Sequence, residues 1–449
     1  MESRILDSIL VRLRDALERD DLSGAASIIE AMRAPDQADL FSELDDHEQI
    51  ALLPQLQPSE LADILEELDD EEAAEIAAEL SPEALILVVD QMEPDEAADL
   101  LGDLPRERME IILAGLEDPD EIHPLLLHPD ETAGGLMTSE FLALRRLMTA
   151  QEAIDALRAW DPDVESIYYL YVVNALGKLC GVVSLRRLIT APPETRMVDI
   201  MEPEVLSVKA GADQEEVARL MSRYDLLALP VVDGEEHLLG VVMIDDVVDV
   251  LVDEATEDIQ RLGGAEPLGR NYLETSVAQV MRKRIGWLLL LFVTGSLTAS
   301  VMSRFEGVLE EAIVLSFFVP LLIGTGGNAG SQTTTTIIRA LAVGDIDLGD
   351  ALRSLWHELR IGLLLGLGMA VIAFVRAETW GSTPALSATV ALAIFTIVVW
   401  ANGLGSLLPL LATALHIDPT VVSGPVMSTL VDATGLFIYF SIARLMMGL

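Results

Sequence analysis

The chain has 449 residues, with 74 Asp and Glu against 28 Lys and Arg, a formal charge of −46, and yet a mean hydropathy of +0.40. A single soluble domain does not combine such acidity with such apolarity, and dividing the chain at Met281 resolves the conflict: 64 acidic and 19 basic residues precede it, while 10 and 9 follow from it. An acidic soluble region followed by a nearly neutral membrane region excludes a protein held to nucleic acid by phosphate contacts. One cysteine, Cys180, excludes a disulfide framework and a Cys-rich metal centre. Only three lysines occur, Lys178, Lys209 and Lys283, so adaptation to salt is a competing source of the total charge.

Met1–Leu17 mixes charges every few residues and reads as no signal peptide, which places the soluble region in the cytoplasm. Leu44, Leu56, Leu68, Leu80, Met92, Leu104 and Leu116 then recur every 12 residues. Helix-start signals follow many of them: Pro58-Ser59-Glu60, Asp69-Asp70-Glu71, Ser81-Pro82-Glu83 and Glu93-Pro94-Asp95. Proline at the first helical position and acids in the first turn suit a helix N-terminus. Each unit is too short to bury its own apolar face, so the units must stack into a superhelix. The acids Glu60, Asp95 and Asp99, taken singly, read as solvated residues that complement helix dipoles.

An internal duplication follows. Tyr171-Val172-Val173-Asn174 with Gly181-Val182-Val183 reappears at an offset of 59 as Pro230-Val231-Val232-Asp233 with Gly240-Val241-Val242. Helical stretches precede each copy, Gln151–Trp160 and Gln214–Tyr224, and a Met turn precedes each helix, Leu136-Met137 and Ile200-Met201. Each half reads as turn, helix, strand, hairpin, strand and helix. The pair resembles a tandem of CBS domains, which implies regulatory ligand sensing without naming the ligand. Asp253–Gly263 reads as an acidic helix ended by Gly263-Gly264, and Tyr272–Arg284 as a second helical stretch.

Five apolar runs come next: Ile285–Ser303, Ala312–Ala342, Ile361–Val375, Ala385–Leu415 and Thr420–Met447. The third is short and is expected to extend back to Trp356 or past Phe374. Arg282, Lys283, Arg284, Arg339, Arg353 and Arg360 fall on one side, and Arg304, Arg376 and Arg444 on the other. That bias predicts a cytoplasmic N-terminus and an external C-terminus in the inner membrane. Span 2 contains Gly324-Thr325-Gly326-Gly327-Asn328-Ala329-Gly330-Ser331-Gln332 and then four threonines, a stretch that reads either as helix–helix glue or as a polar lining. Asn402-Gly403 raises the same choice.

Asp432 is the sharper signal: an acid deep in a span with no Lys or Arg nearby in sequence. Asp418 lies 14 residues earlier, about 21 Å along a continuous helix, and Gly424-Pro425 between them is expected to loosen that helix. One carboxylate makes a poor cation site, whereas two copies facing across a dimer axis make a good one, so a homodimer is expected. No His or Cys lies near Asp432, so oxygen ligands favour Mg²⁺, Ca²⁺ or Mn²⁺, and a hydrated Mg²⁺ suits a wide polar site.

Taken together the chain resembles the MgtE family of magnesium channels over nearly all its length. The motifs carrying this are Ala133-Gly134-Gly135-Leu136-Met137-Thr138, Asp213-Gln214-Glu215-Glu216-Val217-Ala218, Glu254-Ala255-Thr256-Glu257-Asp258, Gly324–Asn328 and Asp432-Ala433-Thr434-Gly435. The expected fold is multidomain. It has an all-α superhelical N domain (1–130), an α/β CBS tandem (131–195 and 196–252), a connecting plug helix (253–284) and a five-helix transmembrane pore domain (285–449). The resemblance implies a homodimeric channel with its pore ion at Asp432, shut by cytosolic Mg²⁺ bound between domains. The regulatory ligands it implies are Glu60, Asp95 and Asp99 on the N domain. On the CBS tandem they are Gly135 and Ser222 through backbone, with Asp213, Asp225, Asp246 and Asp249. Glu254, Glu257 and Asp258 on the connecting helix and Asp418 at the pore mouth complete the set.

Mg²⁺ is therefore expected both as cargo and as regulator, with no catalytic chemistry. Gly424 stands where the family's pore often has Asn. For nucleotide binding at the CBS region, Tyr169 and Arg186 suit the role, but Arg187 replaces an acid and Leu226 an aromatic, so it is not favoured. A secondary transporter coupled to H⁺ or Na⁺ is the alternative, with Asp432 as relay, and a membrane-tethered CBS sensor is a third reading. An enzyme fares worst, since no nucleophile–base pair or P-loop is legible, and His123 and His128 read as surface residues.

Overall fold

The computed structural model describes residues 2–160, 169–268 and 275–448. They divide into two compact units, Met1–Val252 and Asp253–Leu449.

The first unit begins with the repeat. Its helices include Ala34–Ser42, Pro58–Glu66, Asp70–Glu79, Pro82–Val89, Pro94–Asp103 and Arg106–Leu113. They stack two apart in sequence: Pro58–Glu66 packs on Ala34–Ser42 and Pro82–Val89, and Asp70–Glu79 on Pro94–Asp103. The recurring apolar residue sits at the corner between helices, with Leu44, Leu56, Met92, Leu104 and Leu116 all buried. Local chemistry sets the helix ends. Asp45 accepts from the Glu48 amide at 3.0 Å while the Glu48 carboxylate takes the Asp45 amide at 3.1 Å, a reciprocal cap. Arg108 donates to the carbonyls of Ala77, Ala78 and Leu80, at 2.6, 2.9 and 2.5 Å, and so satisfies the orphan acceptors that end Asp70–Glu79.

Two three-stranded sheets follow, with the same order and register. In the first, β1 (Ala143–Arg145) runs parallel to β2 (Tyr169–Val173), which pairs antiparallel with β3 (Leu179–Ser184). In the second, β4 (Val208–Lys209), β5 (Ala228–Val232) and β6 (Leu238–Met243) repeat the arrangement. Val172 pairs with Gly181 and Val231 with Gly240, so the duplication in sequence is a duplication of register, bulge included. Each hairpin is tied by the residue after the first strand: Asn174 Oδ1 accepts from Leu176 and Lys178, and Asp233 Oδ1 from Glu235 and His237. The two Met turns cross over. Thr138 exchanges hydrogen bonds with Val241, and Glu202 with Val182, so each turn joins the other half's last strand. Gly240 and Gly181 make room for this, because a Cβ there would lie 2.6 Å from Met137 Cγ and 2.5 Å from Met201 Sδ respectively. One core runs from the repeat into the second sheet, through Leu104, Ile112 and Leu125 to Val217, Met221 and Val231.

The acidic helix is longer than expected. It spans Ile244–Leu262, because nothing breaks the chain between the last strand and Asp253, and Asp246 Oδ2 accepts the Met243 amide at 3.3 Å to start it. It ends as anticipated at Gly263-Gly264: Gly264 has φ +74°, and the Gly264 and Ala265 amides bond back to Arg261 and Gln260. The second helical stretch begins at Val277, capped by Ser276 and Gln279, while Tyr272 lies outside the described residues.

Among the described residues five helices are long and apolar enough to cross a membrane: Val277–Arg304, Ile313–Ala342, Leu348–Thr379, Pro384–Ala414 and Gly424–Met447, here spans 1 to 5. Span 3 extends in both directions beyond the apolar run. Spans 2, 4 and 5 pack against one another, and span 3 packs along span 4. Span 1 touches the bundle through span 5 and buries no residue among those described. The continuous helix expected from Asp418 to Asp432 is overturned. Asp418 caps a short 3₁₀ turn, Pro419–Val421, and span 5 starts afresh at Gly424 with Pro425 in its first turn. Gly424-Pro425 therefore begins the helix rather than loosening its middle, as proline's missing amide favours.

Candidate cation sites

Three groups of acids result. The first lies where the helix Pro94–Asp103 meets the start of Ile244–Leu262, within the first unit. Asp95 is buried, 7% exposed, and its Oδ1 accepts no hydrogen bond among the described residues. Burial, then Asp246 and Glu93, push its carboxyl well above the usual range. Asp99 is raised to about 7 by burial and by Asp130, Asp70, Asp103 and Asp246. Asp246 is raised to about 7 by burial, with Asp245 and Asp249 adding to it. Glu96, which sequence reasoning passed over, is raised to about 9 by burial and by Asp95 and Asp99. Its signal was available: it lies one position after Asp95, three before Asp99.

The remaining candidate residues of the first unit have local partners of their own. Asp213 caps the helix Gln214–Tyr224 through the Glu215 amide at 2.9 Å, beside Thr132, which also receives the Gly135 amide. Gly135 is obligatory, since a Cβ would lie 2.6 Å from the backbone of Asp130. Ser222 and Asp225 are exposed at the other end of that 11-residue helix, about 16 Å away, so they cannot share an ion with Asp213 of the same chain. Asp225 adopts φ +52° there. Glu60 completes a cap on Gln57 at 2.9 Å, and Asp249 is exposed. His123 is exposed, whereas His128 is half-buried against Gly134.

The second group lies in the other unit. Arg261 forms ion pairs with Glu257 and with Asp418, whose second oxygen accepts the Thr420 amide at 2.8 Å. Asp258 is raised by burial and by Asp418 and Glu254, against Arg261 and Arg339, which lower it. So Glu254, Glu257, Asp258 and Asp418 are brought together, and sequence reasoning missed the arginine among them.

The third group is inside the spans. Asp432 sits eight residues after Gly424, half-buried, and its Oδ1 accepts no hydrogen bond among the described residues. A Cβ on Gly327 would lie 3.2 Å from Ser428 Oγ and 3.6 Å from Asp432 Oδ1, so that glycine opens space in front of the acid. Ser331 Oγ donates to the Gly424 carbonyl at 3.2 Å. Gly326 and Gly330 serve close packing, against Ile397 and Val431 and against Met427. Asn328, Gln332, Thr335 and Thr336 form an exposed polar stripe along span 2, whereas Thr333 and Thr334 are buried. Asn402 is buried against Gly362, with neither amide atom hydrogen-bonded among the described residues. Glu358 on span 3, also passed over in the sequence, is buried and accepts from Thr333 Oγ1 at 3.3 Å. Among the described residues no three His, Cys, Asp or Glu side chains are gathered closely enough to hold a metal ion.

Five candidate spans, one of them carrying a half-buried carboxylate, and a CBS tandem with two matched sheets define a multi-pass membrane protein with a CBS-bearing part outside the spans. Family models agree: residues 15–131 match the MgtE intracellular N domain, 133–194 and 198–253 match CBS domains, and 319–442 match the MgtE divalent cation transporter domain. The chain is 47% identical to the magnesium transporter MgtE of Thermus thermophilus over 327 residues, 73% of this chain and 72% of that one. It is 38% identical to the magnesium transporter MgtE of Enterococcus faecalis over 333 residues, 74% of this chain and 72% of that one. A crystal structure of the cytosolic domain of the Mg²⁺ channel MgtE in complex with ATP matches at TM-score 0.50 and 39% identity, over 54% of this chain and 99% of that one. The chain belongs to the MgtE family of magnesium transporters. Its relatives are named as transporters, which are not enzymes.

Proposed function

We propose that the protein is a homodimeric Mg²⁺ channel for uptake, with the N-terminus cytoplasmic, closed when cytosolic Mg²⁺ binds among its acidic surfaces. The observation carrying this is Asp432: an intramembrane carboxylate with one oxygen that accepts no hydrogen bond among the described residues, near the space left by Gly327 beside Ser428. Span 2 leaves Asn328, Gln332, Thr335 and Thr336 exposed in a single chain, and polar groups at membrane depth need a water-lined or protein-covered face. A second copy supplies such a face and brings two Asp432 carboxylates to one path. Oxygen donors without nearby His or Cys favour a hard, hydrated cation.

The regulatory part follows from repulsion. Asp95, Glu96, Asp99 and Asp246 sit partly out of water with raised proton affinity, an arrangement that a divalent cation relieves. Asp103 and Asp130 add to the charge around Asp99 and Asp249 to that around Asp246, and Glu60, Gly135, Asp213, Ser222 and Asp225 are further candidate ligands. Glu254, Glu257, Asp258 and Asp418 act at the mouth. Several weak sites biasing one open–closed equilibrium give a steep response. For nucleotide, the related cytosolic domain solved with ATP favours a site in the CBS region, where Tyr169 and Arg186 are the residues suited to it, while Arg187 is engaged by Glu202 at 3.1 Å and by the Ile200 carbonyl at 3.0 Å.

Recordings from inside-out patches test the reading, with Mg²⁺ on the cytosolic face stepped from micromolar to about 10 mM, a range suited to weak oxygen-ligand sites. Discrete openings that vanish as Mg²⁺ rises support it. Mg²⁺ flux that follows a pH or Na⁺ gradient without discrete openings would transfer the assignment to a coupled transporter.

A further inference from the structure

Arg261 stands among acids that belong to two separate elements. Its guanidinium pairs with Glu257, one turn earlier on Ile244–Leu262, and with Asp418, 157 residues away, on the segment leading into span 5. The next turn continues the contact. A Cβ on Gly264 would lie 3.3 Å from Pro425 Cγ, and one on Gly424 would lie 3.8 Å from the Leu262 carbonyl oxygen. Without the guanidinium between them, the carboxylates of Glu257 and Asp418 are like charges that repel. A guanidinium offers two donor edges in a fixed plane and stays charged at any physiological pH, so it bridges two carboxylates with a directionality that a lysine reproduces only in part.

We propose that Arg261 is a resident counter-cation that seats the end of the acidic helix on the mouth of span 5 when divalent cations are scarce. Closure then has a component that is independent of Mg²⁺ and sensitive to salt. Its meaning for gating rests on the channel reading above, whereas the tether itself does not. The side chains of Arg261, Asp418 and Glu257 are 39%, 34% and 28% exposed, so the pairs are partly screened. Losing them is expected to raise the undocked population about two- to fivefold, as for solvent-accessible ion pairs. The effect shrinks with ionic strength because the Debye length falls.

The test uses the full chain in nanodiscs, in a Cys180→Ser background, with spin labels at Ile259→Cys and Val421→Cys, both exposed positions. Distances are measured in EDTA at about 50 and about 500 mM NaCl, either side of physiological screening. With Arg261 present, a short distance dominates at low salt and a longer one grows at high salt. In Arg261→Gln the longer population is already raised at low salt and does not respond to salt, and Arg261→Lys restores part of the short one. Identical distributions for Arg261→Gln and the unsubstituted protein at both salts would overturn the proposal. Because no Mg²⁺ is present, this result is separate from the gating reading, which falls instead if currents ignore cytosolic Mg²⁺.

Discussion

Asp246, at the start of Ile244–Leu262, stands close enough to Asp95, at the second position of the helix Pro94–Asp103, to be, after burial, the largest contributor to the raised proton affinity of Asp95. The two come from segments 151 positions apart, and both are buried or half-buried. Neither gains a basic partner among the described residues.

A pH dependence follows from these carboxyls. Asp99 and Asp246 are raised from 3.8 to about 7, and Glu96 from 4.5 to about 9. The folded state thus binds more protons than the unfolded one between about pH 4 and 9, so stability falls as pH rises through that window. In EDTA, the melting temperature of the unit 1–252 should drop steadily from pH 5 to 9. Mg²⁺ should restore it more at pH 8 than at pH 6, where protons already neutralise the acids. Asp246→Asn should flatten the curve, and a pH-independent melting temperature would contradict the argument.

The pore reading predicts that Asp432→Ala lowers Mg²⁺ conductance by at least about tenfold, while folding persists. The acid costs free energy at membrane depth and its loss relieves that cost. Single-channel current paired with a thermal melt separates the two effects. Conductance within twofold of the original would remove Asp432 from the path.

The crossed Met turns give an asymmetric prediction. A Cβ at Gly240 would meet not only Met137 but the Thr138 carbonyl oxygen at 2.7 Å, whereas at Gly181 the three nearest atoms all belong to the Met201 side chain. Side chains move more cheaply than backbone, so Gly240→Ala should destabilise by about 1–3 kcal/mol and Gly181→Ala by less. Urea denaturation of both variants checks the order.

Arg108→Ala should cost about 1–3 kcal/mol in the same assay, because the carbonyls of Ala77 and Leu80 lose a charged donor in a part-buried corner. Arg106→Ala provides the contrast. Its pair with Glu110 lies on an exposed face, where such pairs contribute little.

Much of the architecture was legible because it rests on local signals. The 12-residue spacing of Leu44 to Leu116 dictates short stacked helices, since each must bury one corner residue. The offset of 59 between Val172-Gly181 and Val231-Gly240 dictates two sheets of one design, and hydropathy dictates five spans. Asp432 announced itself because an acid in an apolar run has no cheap local explanation. Other features depend on partners distant in the chain, and only the tertiary structure decided them. That Asp418 faces Arg261 rather than continuing a helix to Asp432 depends on how Pro419 and Pro425 break the segment and on what packs beside it. The burial of Glu96 and Glu358, the exchange of Met137 and Met201 between halves, and the exposure of Asn328 and Gln332 depend likewise on packing. Periodicity reports which side of an element is apolar. It does not report which distant surface covers that side, and charge, proton affinity and hydrogen bonding at a site are set by that covering.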